Sequence, residues 1–64
     1  MKKEIFANIM KLKDAGLGAK FIRVSEEDKY LYSKVNYGMV NAIRLYDGRI
    51  YYLDEEENII CITT

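Results

Sequence analysis

The first part of the chain carries apolar residues at the spacing of a helix. The apolar stripe consists of Ile5, Ile9 and Leu12, with Phe6 and Met10 beside it. Lysines and acidic residues lie largely outside this stripe, which is typical of an amphipathic helix. Gly16 and Gly18 then supply the backbone freedom that ends a helix. The pattern predicts one helix over residues 2–14.

After Gly18 the pattern changes to the alternation of strands, and β-branched and aromatic residues become frequent. Five strands are predicted, at residues 20–24, 29–35, 39–46, 49–53 and 59–64. One segment has a competing interpretation, because Ser25 followed by acidic residues is also a helix N-cap pattern. Residues 29–35 are therefore predicted as strand after a polar turn, with a helix over residues 26–36 as the alternative.

Asp47 and Gly48 are the strongest turn signal, since a two-residue type I′ hairpin needs positive φ at both central positions. Such a turn would place Leu45 opposite Ile50 and Ile43 opposite Tyr52. A second hairpin, across the acidic turn of residues 54–58, would place Leu53 opposite Ile60, Tyr52 opposite Cys61 and Tyr51 opposite Ile62.

These registers give the sheet two apolar faces. One face would hold Val40, Ala42, Tyr51, Leu53, Ile60 and Ile62, and the other Ile43, Leu45, Ile50, Tyr52 and Cys61. A single short helix covers only one of them. The other face is therefore packed under residues 20–37 or buried against another molecule, and we favour the second. Its expected interface residues are Ile43, Leu45, Ile50 and Tyr52.

The composition predicts one small domain over residues 1–64. The chain has 64 residues with ten basic and ten acidic side chains, so its formal net charge is zero. A chain this short buries little apolar surface, and self-association is a common source of added stability. The expected fold class is α+β, with the N-terminal amphipathic helix packed on an antiparallel sheet of about four or five strands.

The sequence offers little catalytic chemistry. It contains no His and a single cysteine, Cys61. Hydrolytic triads and four-ligand zinc sites are therefore excluded, and we expect no catalytic residue, no cofactor and no metal site. Cys61 lies between two isoleucines and is interpreted as a small buried hydrophobe. The acidic residues 54–57 lack the glycine and the alternation of a calcium loop.

Tyrosines and cations suggest an alternative surface that would bind single-stranded nucleic acid by stacking. Its residues would be Tyr30, Tyr32, Lys34, Arg44, Arg49 and Tyr51. The simpler interpretation is cross-strand aromatic pairing within the sheet, because the zero net charge gives no general attraction to phosphates.

No motif of a known family is present. In size, residue usage and lack of catalytic residues the chain resembles, in type only, the small accessory proteins of bacteriophages and mobile elements, many of which bind and block a host protein. The expected function is a non-catalytic protein-binding inhibitor or regulator, cytoplasmic because of its lone cysteine and apparent lack of an export signal. Expected partners are a second copy of the chain and a host protein, with no membrane. Nucleic-acid binding is the alternative, and a purely structural subunit of an enzyme is a third.

Overall fold

Six short strands form the structure, a computed structural model that describes residues 9–27 and 29–62. The strands are β1 (Ile9–Lys11), β2 (Lys20–Arg23), β3 (Tyr32–Tyr37), β4 (Val40–Arg44), β5 (Arg49–Tyr51) and β6 (Asn58–Ile62). Two 3₁₀ turns, Leu12–Asp14 and Val24–Glu26, follow β1 and β2.

All six strands belong to one antiparallel sheet, in the order β1-β6-β2-β3-β4-β5. From β2 to β5 the order follows the chain. The last strand, β6, lies between the first two and pairs with both of them. The two ends of the described chain therefore meet inside the sheet.

The prediction of an α+β fold, with a helix packed on four or five strands, is wrong. The described part of the chain forms an antiparallel sheet of six strands and contains no helix of seven or more residues. Ile9–Lys11 is a strand, in which Met10 lies opposite Ile59. The backbone N–H of Leu12 donates to Glu57 O at 2.9 Å. Long-range sheet pairing has overridden the helical spacing at residues 9–14. Residues 2–8 of the predicted helix lie outside the described residues.

One face of the sheet, the core face, carries the hydrophobic core. Opposite residues in antiparallel strands share a face. By this rule the core face holds Met10, Phe21, Arg23, Tyr32, Lys34, Ala42, Arg44, Arg49, Tyr51, Ile59 and Cys61. The buried cluster consists of Leu12, Phe21, Tyr32, Ala42, Leu53 and Ile59. Two of its members, Leu12 and Leu53, come from segments beside the strands, so connecting chain rather than a helix completes the core.

The opposite side, the back face, is rich in isoleucine. By the same pairing rule it holds Ile9, Lys11, Lys20, Ile22, Ser33, Ile43, Ile50, Asn58, Ile60 and Ile62. Exposure varies across it, since Ile22 is 8% exposed whereas Ile9 and Ile50 are 57% and 59% exposed. Lysines and polar residues thus lie among the isoleucines of the back face, and the distribution of residues between the two faces differs from the predicted one.

The hairpin of β4 and β5 has a longer loop than predicted. Ile43 lies opposite Ile50 and Arg44 opposite Arg49, which leaves residues 45–48 as a four-residue loop. Gly48 has φ +71°, but Asp47 does not have positive φ, so the turn is not type I′. The true register differs from the predicted one by two positions. Because side chains alternate with a period of two, this shift leaves Ile43 and Ile50 on a common face.

The second predicted hairpin does not form. The acidic segment contains a turn, in which Glu57 N donates to Asp54 O at 3.0 Å, but it leads the chain away from β5. Strand β6 pairs with β2 instead, so that Cys61 lies opposite Phe21 and Ile60 opposite Ile22. Cys61 consequently lies on the core face, and Ile60 and Ile62 lie on the back face, the reverse of the prediction.

Within residues 26–36 the structure matches neither the predicted strand nor the alternative helix over its full length. The 3₁₀ turn Val24–Glu26 comes first, and the strand begins at Tyr32 and runs to Tyr37. The strand interpretation is therefore confirmed from Tyr32 onward, and the helix alternative is wrong over the described residues.

The turn after Val24–Glu26 has an unfavourable residue in its first central position. Lys29 N donates to Glu26 O at 3.1 Å, and Glu27 has φ 58° and ψ −132°, values close to those of the first central residue of a type II′ turn. Glycine is the preferred residue in this conformation. An L-residue with a side chain is strained there, by an energy on the order of 1 kcal/mol.

We therefore predict that Glu27→Gly raises the free energy of unfolding by about 1 kcal/mol. Urea denaturation followed by circular dichroism measures the change. Glu27→Ala is the matched control, because it removes the exposed carboxylate but keeps a side chain at positive φ. Equal stabilisation by Gly and by Ala would contradict the turn geometry.

Candidate functional site

An exposed apolar patch lies at the end of the sheet formed by β4 and β5. We call it the edge patch, and it consists of Ile43, Leu45, Ile50 and Tyr52. Leu45, Ile50 and Tyr52 are 43%, 59% and 62% exposed, and Ile43 is half-buried between its neighbours. These are the four residues that the sequence predicts to form an interface.

The backbone explains why the patch residues lie on one side. Ile43 and Ile50 are directly opposite each other. Leu45 follows two residues after Ile43, and its N–H still donates to Leu31 O at 2.9 Å, so the strand direction continues past Arg44. Beyond Ile50, the side chains of Tyr51 and Leu53 pack on the core, and Tyr52 between them is exposed. This alternation places Ile50 and Tyr52 on the same side of an extended segment.

Asn41 fixes the chain where β5 ends. Its side-chain amide donates to Leu53 O at 2.8 Å, and its carbonyl oxygen accepts from Leu53 N at 2.8 Å. The amide thus replaces the backbone of β4 as the hydrogen-bonding partner of Leu53. Asn41 is 5% exposed, and its amide also donates to Glu55. Sequence reasoning did not single out this residue, whose only signal is a polar side chain inside an apolar strand.

The six residues of the alternative nucleic-acid surface do not form one open platform. Tyr32 is fully buried, and its ring stacks on Phe21 with centroids 5.5 Å apart. Lys34 is 8% exposed, and its Nζ donates to Leu12 O at 2.9 Å. Both side chains serve the core, so neither is available to a base or a phosphate.

The remaining members of that set cluster around Arg44. Its guanidinium lies 4.6 Å from the centroid of the Tyr30 ring and 5.3 Å from that of Tyr51. It also donates to both carboxylate oxygens of Asp47, at 3.1 and 2.8 Å. Its charge is therefore already paired within the loop. Arg49, the sixth residue, is exposed on β5.

A second ion-pair network closes the other side of the core face. Arg23 donates to both carboxylate oxygens of Glu57 and to Glu26, and the Tyr32 hydroxyl lies 3.0 Å from Glu26 Oε1. The hydrogen bond to Glu57 raises the pKa of Arg23, and burial raises the pKa of Tyr32. The network links β2, β3 and the segment before β6, which is a structural role.

A shallow cleft of about 350 Å³ lies beside this core. Its lining includes Lys13, Leu17, Lys34, Asn41, Tyr52 and Glu55. The polar groups at its base bond to one another and to the backbone, as described for Lys34 and Asn41. Lys13 pairs with Glu56 at 2.7 Å. The cleft therefore presents a polar network that is satisfied by the protein itself.

The described residues offer no metal site, because they contain no group of three or more carboxylate, Cys or His ligands. Cys61 is half-buried, with its Sγ 3.7 Å from Met10 Sδ. Nor does that part of the chain contain a helix long and apolar enough to cross a membrane.

Comparison with known proteins adds no relative. No protein-family model matches the chain, and neither a curated protein nor a solved structure matches it significantly.

Asp47, in the loop before β5, makes the stability of the fold depend on pH. Side-chain hydrogen bonds from Arg44 lower the pKa of Asp47 to about 2, from an ordinary value of 3.8. A carboxylate with a depressed pKa stabilises the fold above its unfolded-state pKa, and this contribution is lost as the pH falls through its folded-state pKa. The relevant window is pH 4 to 2.

We expect Asp47→Asn to lower the free energy of unfolding at pH 7, and the difference from wild type to shrink between pH 4 and pH 2. Urea midpoints at pH 7, 4 and 2 measure it. Asp14→Asn is the control, since Asp14 has no ion-pair partner among the described residues. A difference that stays constant down to pH 2 would contradict the Arg44–Asp47 pairing.

Proposed function

We propose that this protein is a small non-catalytic protein-binding module that acts as an inhibitor or regulator through its edge patch. The observation that carries the proposal is the exposure of Leu45, Ile50 and Tyr52 on one side of the sheet. Large apolar side chains grouped at an exposed surface are typical of interfaces between proteins.

Features elsewhere in the molecule support a binding role over the alternatives. The cations and tyrosines that stacking on nucleic acid would need do not form one surface, since Tyr32 and Lys34 belong to the core and Arg44 is paired with Asp47. Arg49 is exposed on β5. The cleft near Lys34 has its polar groups occupied by protein partners. The edge patch is an exposed apolar surface that a protein partner would cover.

The proposal keeps the setting expected from the sequence, which is a cytoplasm, and the expected type of protein, a small accessory factor of a phage or mobile element. Its partners would be a second copy of the chain and a host protein. Both would be recognised by shape and apolar contact, because the edge patch carries no charged side chain.

The proposal predicts self-association or an accessible apolar surface. Size exclusion with light scattering at micromolar concentration should give about twice the chain mass of 7.5 kDa, or the monomer should bind a hydrophobic dye. Ile50→Lys should remove either signal, because a charge at the centre of an apolar contact is costly.

Val24→Lys is the matched control, since Val24 is 37% exposed but belongs to the 3₁₀ turn after β2, away from β5. It should leave the mass and the dye signal unchanged. A wild-type monomer that is folded and binds no dye would overturn the proposed function.

A further inference from the structure

The outer edge of β5 carries backbone groups that point away from the sheet. Residues of an antiparallel strand direct their N–H and C=O groups alternately to the two neighbouring strands. The N–H of Leu45 points to β3, where it donates to Leu31 O, and Arg44 O points to the opposite side, where it accepts from Gly48 N at 2.7 Å. Arg49 and Tyr51 therefore hydrogen-bond to β4, and the N–H and C=O of Ile50 point outward.

The same alternation continues into Tyr52. The backbone N–H and C=O of Leu53 both point back to the Asn41 side chain. Tyr52, between Tyr51 and Leu53, therefore directs its own N–H and C=O outward, as Ile50 does. Among the described residues no strand pairs with this edge of β5.

We propose that a second copy of this chain pairs antiparallel with the outer edge of β5, about a two-fold axis at Tyr51. The inference rests on the proposed function and identifies its partner. In this register Ile50 lies opposite Tyr52 of the partner subunit. By symmetry, Tyr52 lies opposite Ile50 of the partner subunit. Each pair exchanges both backbone hydrogen bonds, so the outward groups of Ile50 and Tyr52 are satisfied on both copies.

The side chains favour a second copy in this register. The exposed Ile50 packs beside the exposed Tyr52 of the partner subunit, which is a favourable β-branched and aromatic cross-strand pair. Arg49 lies opposite position 53 of the other copy, directly before the acidic residues 54–57, so the charges are complementary. A two-fold axis at Ile50 would instead place Tyr52 opposite Gly48, whose N–H already donates to Arg44 O.

The edge also lacks common protection against pairing. Natural edge strands are often blunted by proline, by bulges or by charges that point inward. The chain has no proline, and the register of β4 and β5 shows no shift. β5 carries one charge, Arg49, which the proposed register places near the acidic residues of the partner.

The sharpest test is backbone N-methylation of Ile50 in a chemically synthesised chain. The methyl group removes the outward N–H and blocks the approach of another strand, but it leaves the hydrogen bonds of Arg49 and Tyr51 to β4 intact. We expect the dimer to dissociate at least about tenfold more readily, because reciprocal hydrogen bonds are lost on both copies. N-methylation of Leu17, in an exposed loop, is the control and should leave the dimer unchanged.

A second measurement keeps the proposal falsifiable if the methylated chain does not fold. In a mixture of isotope-labelled and unlabelled wild-type chains, intermolecular NOEs should connect Ile50 with Tyr52. A dimer that lacks these NOEs, or that persists after N-methylation of Ile50, overturns the edge pairing but leaves the proposed protein-binding function standing. A folded wild-type monomer overturns the edge pairing, and one that also binds no dye overturns both.

Discussion

Insertion of β6 into the sheet joins the two ends of the described chain. This strand lies between β1 and β2, so residues close to the end of the described chain pair with residues close to its beginning. Ile59 is completely buried, opposite both Met10 and Arg23. The core face is therefore complete only when the last strand has been inserted. Because such contacts are distant in sequence, we expect folding to be slower than for a helical protein of this length.

The same topology distinguishes surfaces whose polar groups bond within the fold from the surface at the edge of β5, which is exposed. At the β1–β6–β2 side, ion pairs of Arg23 with Glu57 and Glu26 join the strands. At the other side, Asn41 binds the backbone of Leu53 and fixes the chain after β5. The backbone groups of Ile50 and Tyr52 then point outward next to an exposed apolar patch. A surface that offers both backbone hydrogen bonds and apolar contact is suited to another strand.

Local sequence patterns predicted the parts of the fold that depend on local interactions. Strand β4 and the shared side of Ile43 and Ile50 follow from alternation, and Gly48 does adopt positive φ. The helix over residues 2–14 was wrong for residues 9–14, because their pairing with β6 depends on residues distant in sequence. The roles of Lys34 and Asn41 could not be predicted either, since their partners are backbone carbonyls of distant segments. The four edge-patch residues still share one side, because a shift of two positions preserves the face of each side chain.

The most direct test of this account is the register of β6, measured by NMR in the wild-type chain. The hydrogen-bonding alternation makes Phe21–Cys61 and Arg23–Ile59 the close pairs without reciprocal hydrogen bonds, in which the α-carbons approach to about 4.5 Å. The central position of β6 predicts strong NOEs between the α-protons of these two pairs. NOEs that instead connect Leu53 with Ile60 and Tyr51 with Ile62 would place β6 next to β5 and contradict the central position of β6.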